Sequence, residues 1–319
     1  MRPTRLVVTG ATGFIGSAVL RALGRLRDEE ALDLVVRAVG RRLPDGLSEA
    51  DEWTEADLAD PRSLAGVCEG ADALLHLAAL VDAAESPCVT VNERGTAALM
   101  GEAMRSEVSR VVHLSTAAVY GVGPHRGIAV DEVAPVPVSA ASRTRLAGEA
   151  HALAAGATVL RPGLVIGSGD RWAVPALIEL IDAVPALWDG GQATLSLVAV
   201  EDLARLIARL GSADALPGGR IWHAGHPEPV RLAEFVGSLA RHGIVPFPTR
   251  ELPLDACLEQ LRASDIHLSE RQFLLFAQDF WFDSRDLWSV AGCPAGPGPL
   301  DRLASAAAWY RSLPMDRTA

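Results

Sequence analysis

The sequence predicts an α/β fold, a doubly wound parallel sheet followed by a smaller, mixed C-terminal portion. Three observations carry that expectation. Short β-branched runs alternate with helical stretches through the first half of the chain. A glycine-rich turn joins the first of these runs to the first helix. Regularity fades after about residue 162, where Trp, Pro and Gly-Gly turns gather.

Taken in order, residues 5–9 (RLVVT) read as the first strand, 14–26 as a helix and 34–39 as the second strand. Residues 73–77 and 110–114 read as the fourth and fifth strands. Helices are expected at 90–105 and 139–155, the latter entered through Pro135, Pro137 and Ser139, whose hydroxyl suits an N-cap. A further strand at 158–161 ends at Pro162-Gly163, and turns follow at Gly167-Ser168-Gly169-Asp170, Asp189-Gly190-Gly191 and Pro217-Gly218-Gly219.

Composition excludes several classes of partner. Forty acidic residues against 29 basic ones give a net charge of −11, which opposes attraction to nucleic acid or to an anionic membrane. No apolar run approaches the ~20 residues of a membrane span, and the first residues lack the apolar stretch of a signal peptide, so a cytoplasmic protein is expected, monomeric or homodimeric. Cys68, Cys88, Cys257 and Cys293 form no CxxC pair, so neither a disulfide framework nor a metal site is expected. His223 and His226 lack a third ligand in register. All 29 basic residues are arginine, and the two tyrosines are Tyr120 and Tyr310.

The strongest motif is Thr9-Gly10-Ala11-Thr12-Gly13-Phe14-Ile15-Gly16. Its three glycines stand three apart between a strand and a helix, where they allow a tight turn, close approach of a pyrophosphate and close helix packing. The helix N-terminus adds free N–H groups and a favourable dipole. This spacing predicts a dinucleotide-binding Rossmann half over 1–161 and a substrate-binding portion over 162–319, interleaved without a linker. At the end of the second strand stands Gly40-Arg41-Arg42. A carboxylate there would repel a 2′-phosphate, whereas guanidinium groups hold one, so Arg41 and Arg42 predict NADPH, with Arg37 a lesser candidate.

The loop resembles the fingerprint of the extended short-chain dehydrogenases/reductases, the NAD-dependent epimerase/dehydratase family. Further matches run along the chain: Asp57-Leu58 resembles the adenine contact, His76-Leu77-Ala78-Ala79 the fourth-strand motif, and Val91 to Thr96, with Asn92, the family's Asn-containing helix. Ser115 to Gly121 resembles the fifth-strand exit, Arg161-Pro162-Gly163 the sixth, with Leu164 following, and Val198 to Asp202 a later turn. The resemblance implies cofactor contacts from these residues and a carbonyl-binding hydroxyl at Thr116, beside Ser115.

One departure is central. The family's Tyr-x-x-x-Lys pair falls on Ala141 and Arg145 when Gly148-Glu149 is matched to the family's Gly-Glu. Residues four apart share a helical face, so Arg145 keeps a positive charge near the nicotinamide ribose, but it cannot act as a useful acid. Three readings follow. In the leading one the chain is an NADPH-dependent ketoreductase in which Thr116, water or a hydroxyl on the substrate replaces the phenol. A phenol beside an aryl ketone pre-polarises the carbonyl, which points to polycyclic aromatic natural products such as angucyclinones in antibiotic tailoring. The others are a non-redox cyclase or dehydratase on the same fold, and a nucleotide-binding pseudoenzyme or sensor.

On the substrate side, Asp82, Tyr120, Ala141 and Trp172 are candidate contacts, with His125 on an overhanging loop. Trp188, Trp222, Phe280, Trp281, Phe282 and Trp288 are aromatics of the C-terminal half that would be available to a broad apolar pocket, whereas Phe273 and Phe276, three apart, are expected in the core, as is a satisfied His113.

Overall fold

The computed structural model describes residues 2–43, 49–81, 83–213 and 218–313. A seven-stranded parallel sheet forms its centre, in the spatial order Arg220–His223, Thr158–Arg161, Arg110–Leu114, Ala73–His76, Thr4–Thr9, Leu34–Gly40 and Glu52–Glu55. The strands are buried on both faces because their alternate residues feed different cores. Leu6, Val8 and Leu75 pack under the helices Phe14–Glu30 and Val200–Ser212, while Val7, Leu74 and Val111 pack on the opposite face with Leu99 and Met100. Strand Thr4–Thr9 pairs with both Leu34–Gly40 and Ala73–His76, so the winding reverses at its carboxyl end, where open α/β sheets bind ligands.

The third strand, Glu52–Glu55, carried no apolar signal because it is a charged edge. Glu52 pairs with Arg5 and with Arg37, which ties Arg37 into the sheet and away from any cofactor phosphate. The stretch expected as one helix over 90–105 is a short turn Glu85–Cys88, a π-helical segment Val89–Gly95 and the α-helix Thr96–Arg105. Ser139 caps the helix Ala140–Ala154 as expected, its hydroxyl oxygen accepting the Ser142 N–H at 3.1 Å.

The sheet does not stop at residue 161: helix Val200–Ser212 lies against it and Arg220–His223 is its last strand. The smaller portion is built on a four-stranded sheet in the order Val230–Arg231, Thr194–Leu195, Phe280–Phe282, His125–Ile128, so it borrows a strand from the first half of the chain. Its core centres on Trp188, Phe235 and Phe273, with the Trp188 and Phe273 rings 4.4 Å apart. Most C-terminal aromatics are consumed there. Among the described residues no helix is long and apolar enough to cross a membrane.

Candidate functional site

The glycine loop is shaped for close approaches. Gly10 sits at φ +71°, and a Cβ there would lie 2.7 Å from the Ala78 backbone nitrogen, so the turn nests against the exit of the fourth strand. A Cβ on Gly16 would collide with the Gly10 carbonyl oxygen, which lets the helix press onto the loop. At Gly13 only the Gly10 carbonyl comes near, at 3.2 Å, and no side chain caps the helix that follows. Open space over uncapped N–H groups is what a pyrophosphate requires. Thr12 is exposed in the turn. Arg41 and Arg42 are exposed just past the second strand, without a hydrogen bond among the described residues, and Asp57-Leu58 follows the neighbouring third strand. Parallel strands place these groups and the glycine turn along one edge of the sheet. The donor set fits a dinucleotide phosphate backbone.

A cleft of about 450 Å³ opens from this loop, within the range of small-molecule sites. Its walls include Gly10, Gly13, Phe14, Ile15 and Gly16 from the loop, and Leu77 and Ala79 from the fourth strand's exit. Ser115 and Thr116 come from the fifth, Pro162, Gly163 and Leu164 from the sixth, and Ala141 and Arg145 from one face of the helix Ala140–Ala154. Of the sequence-predicted aromatics Trp172 lines the cleft and is 53% exposed at its mouth. Phe276, expected in the core, is both buried and part of the wall. Arg271, Gln272 and Leu275 complete it and were not anticipated. Asp82 lies outside the described residues.

Thr116 is held for donation. Its Oγ1 accepts the Ala118 N–H at 3.1 Å as the cap of the short helix Ala117–Tyr120, which leaves the hydroxyl proton free for a group in the cleft. Arg145 Nη2 donates to the carbonyls of Leu114 at 3.0 Å and Ser115 at 2.5 Å, and Nε has no partner among the described residues. Burial lowers this guanidinium to about 10, which still leaves it a cation near neutral pH. It therefore does two things at once, fixing the fifth-strand exit and placing positive charge in the cleft floor.

Several expected contacts are corrected by the geometry. The Ser115 hydroxyl is donated to Glu149, which removes it from the donors available to substrate. Asn92 is buried, its Nδ2 donating to the Leu80 carbonyl (2.8 Å) and Thr144 Oγ1 (3.0 Å) while Oδ1 accepts the Leu80 N–H (2.7 Å). It pins the fourth-strand exit to the helix Ala140–Ala154 and is a positioning residue. Tyr120 faces away from the cleft: its hydroxyl accepts from Arg161 Nη1 at 2.8 Å and lies 2.8 Å from His223 Nε2. Arg161 in turn holds Glu149 through Nε (3.0 Å) and Nη2 (2.5 Å), both side chains almost fully buried. The strand-exit motif gave the right backbone but not the direction of each side chain. His125 is in the small sheet, its ring against Tyr120 and Phe282, not over the cleft. His113 is buried as expected, yet among the described residues neither ring nitrogen has a partner. Asp170, a helix-entry residue, accepts from the N–H groups of Trp172, Ala173 and Val174 and from the Tyr310 hydroxyl, and so orients the Trp172 segment. Among the described residues no group of three His, Cys, Asp or Glu side chains is placed to hold a metal ion.

A glycine turn at the switch point of a parallel sheet, opening into a cleft lined by Thr116 and Arg145, defines an α/β fold of the dinucleotide-binding class. Residues 6–225 match the NAD dependent epimerase/dehydratase family, and the chain belongs to it. It is 29% identical over 269 residues, 76% of either chain, to the 4-hydroxy-2-methyl-3-oxo-4-farnesyl-3,4-dihydroquinoline-1-oxide ketoreductase of Stigmatella aurantiaca. Among solved structures, MoeE5 in complex with UDP-glucuronic acid and NAD is similar at TM-score 0.71 and 26% identity, covering 96% of this chain and 99% of that one. The dTDP-glucose 4,6-dehydratase of Streptomyces venezuelae shares the fold at TM-score 0.73 and 21% identity, covering 97% of each chain.

Proposed function

We propose that the chain is an NADPH-dependent ketoreductase acting on a ketone of a polycyclic aromatic natural product, with a hydroxyl of the substrate replacing the family's catalytic phenol. The observation that carries this reading is the convergence of the free Thr116 hydroxyl and the Arg145 guanidinium on a cleft where position 141 is only a methyl group. A bound NADPH would supply the hydride, held by the glycine turn with Arg41 and Arg42 at its adenosine end. Thr116 donates one hydrogen bond to the carbonyl oxygen and holds it in the cleft. Arg145 stabilises the charge that develops on that oxygen without surrendering a proton, since its nitrogen remains protonated throughout. The proton then comes from a hydroxyl on the substrate next to the ketone, or from water. Ala141 leaves room for a flat ring system where a tyrosine would stand, and Leu275, Phe276 and Trp172 offer it apolar walls.

The relative from Stigmatella aurantiaca supports the ketone part of this reading, because its name describes the reduction of a 3-oxo group on a fused ring, with a neighbouring 4-hydroxy group that is a tertiary alcohol and not a phenol. Sugar-nucleotide chemistry fits less well. Oxidising an unactivated sugar hydroxyl calls for a base with the strength of a tyrosinate, and neither tyrosine of the chain reaches the cleft. The test is NADPH oxidation with paired aryl ketones that differ only in a hydroxyl adjacent to the carbonyl. Turnover confined to the hydroxylated member supports substrate assistance, and equal turnover of both overturns it.

A further inference from the structure

The part of the wall supplied by helix Glu270–Ala277 has a chemistry that the reaction does not use. Arg271 is half-buried on the cleft and has neither an ion pair nor a hydrogen bond among the described residues. Beside it, Gln272 spends its Oε1 on the N–H (3.0 Å) and hydroxyl (2.8 Å) of Ser269, so its amide offers only N–H donors to anything else. The only carboxylate among the described lining residues is Asp170, already occupied by three backbone N–H groups and the Tyr310 hydroxyl. Among the described residues the cleft thus presents two guanidinium groups and no free acid, in a protein of net charge −11. Its remaining lining near Arg271 is apolar, through Leu275, Phe276 and Ala176.

We infer that Arg271 and Gln272 form a subsite for a carboxylate carried on the aromatic substrate. A single planar guanidinium matches one carboxylate bidentately, and a neighbouring amide N–H adds a third donor. A diphosphate carries more charge than one such fork neutralises, and the apolar surround suits a ring acid better than a nucleotide. The inference rests on the reading of this cleft as the site of an aromatic ketone, and it narrows that substrate to a keto acid.

The test is equilibrium binding to the full chain in the presence of NADP, with 3-hydroxy-2-naphthoate, the neutral 2-naphthol and UDP as probes. The naphthoate is expected to bind more tightly than naphthol. Arg271→Met and Arg271→Gln should each weaken it by about 10- to 100-fold while leaving naphthol unchanged, so naphthol serves as the check on folding. Unchanged naphthoate affinity in both variants would assign the anion to Arg145 and overturn the subsite. Equal losses for naphthoate and naphthol would overturn it too, as would an Arg271-dependent UDP complex tighter than that of naphthoate. An Arg271-dependent naphthoate complex in a protein that reduces no ketone would sustain the subsite and refute the ketoreductase reading.

Discussion

Thr116 carries the most specific chemical claim, since its oxygen is engaged as a cap and its proton is not. Thr116→Val should lower kcat by about 100-fold, or about 3 kcal/mol of transition-state stabilisation, with NADPH affinity unchanged. Steady-state kinetics alongside a cofactor titration check this, and unchanged turnover removes Thr116 from the mechanism. Ala141→Tyr in the same assay should bring no gain. At the adenosine end, replacing Arg41 and Arg42 together by Ala should weaken NADPH by about 10-fold or more and leave NADH unaffected, because only the 2′-phosphate is lost as a partner. Equal weakening of both cofactors would mean the arginines support the loop and not the phosphate.

At the scale of elements, the helix Ala173–Ala183 depends on Asp170, whose carboxylate satisfies the N–H groups of its first two residues and of Trp172 just before it. Burial pushes that carboxyl above its ordinary value even against these donors. Asp170→Ala should cost about 1–2 kcal/mol in urea unfolding and loosen Trp172, which near-ultraviolet circular dichroism would register. The glycine turn, the central strands and the Ser139 cap were legible from the amino-acid sequence because each follows from local chemistry: alternation, close approach, a capping hydroxyl. Glu52–Glu55 was not, since an edge strand held by Arg5 and Arg37 needs no apolar face. Ser115, Asn92 and Tyr120 belong to motifs whose local pattern marks a strand exit or a helix and carries no information on side-chain direction. Their side chains turn to Glu149, Leu80 and Arg161, partners that only the packed helix Ala140–Ala154 and the neighbouring strands bring near. Arg271 and Gln272 were hidden for a related reason. They lie far down the chain in a helix whose other residues, Phe273 and Phe276, announce a core, and nothing local tells that its first turn faces a cleft.

For the whole molecule, three of the buried histidines, His76, His113 and His223, set the response to acid. Burial lowers His76 and His223 to about 4 and holds His113 well below its ordinary value, with the nearby Arg145 charge also acting on His76 and His113. These groups are neutral when folded and titrate near 6.5 when unfolded, so the unfolded chain binds more protons between those values. Their contribution to stability is complete above about pH 6.5 and is lost as pH falls towards 4 and below, by about 1.4 kcal/mol per pH unit for each histidine. Melting temperatures measured from pH 7.5 to 4.5 should fall steeply below 6.5, and a flat profile would show that the histidines are hydrated in the folded state. The cleft itself lies between the large sheet and the small portion, and its walls draw on both, so cofactor and substrate together should tie the two halves. The central claim is a reduction without a catalytic tyrosine. It is tested most directly by following deuterium from 4-deuterated NADPH into an aryl ketone that bears a neighbouring hydroxyl, read by mass spectrometry. Label on the former carbonyl carbon is the predicted result, and tight NADPH binding with no label in any product would contradict it.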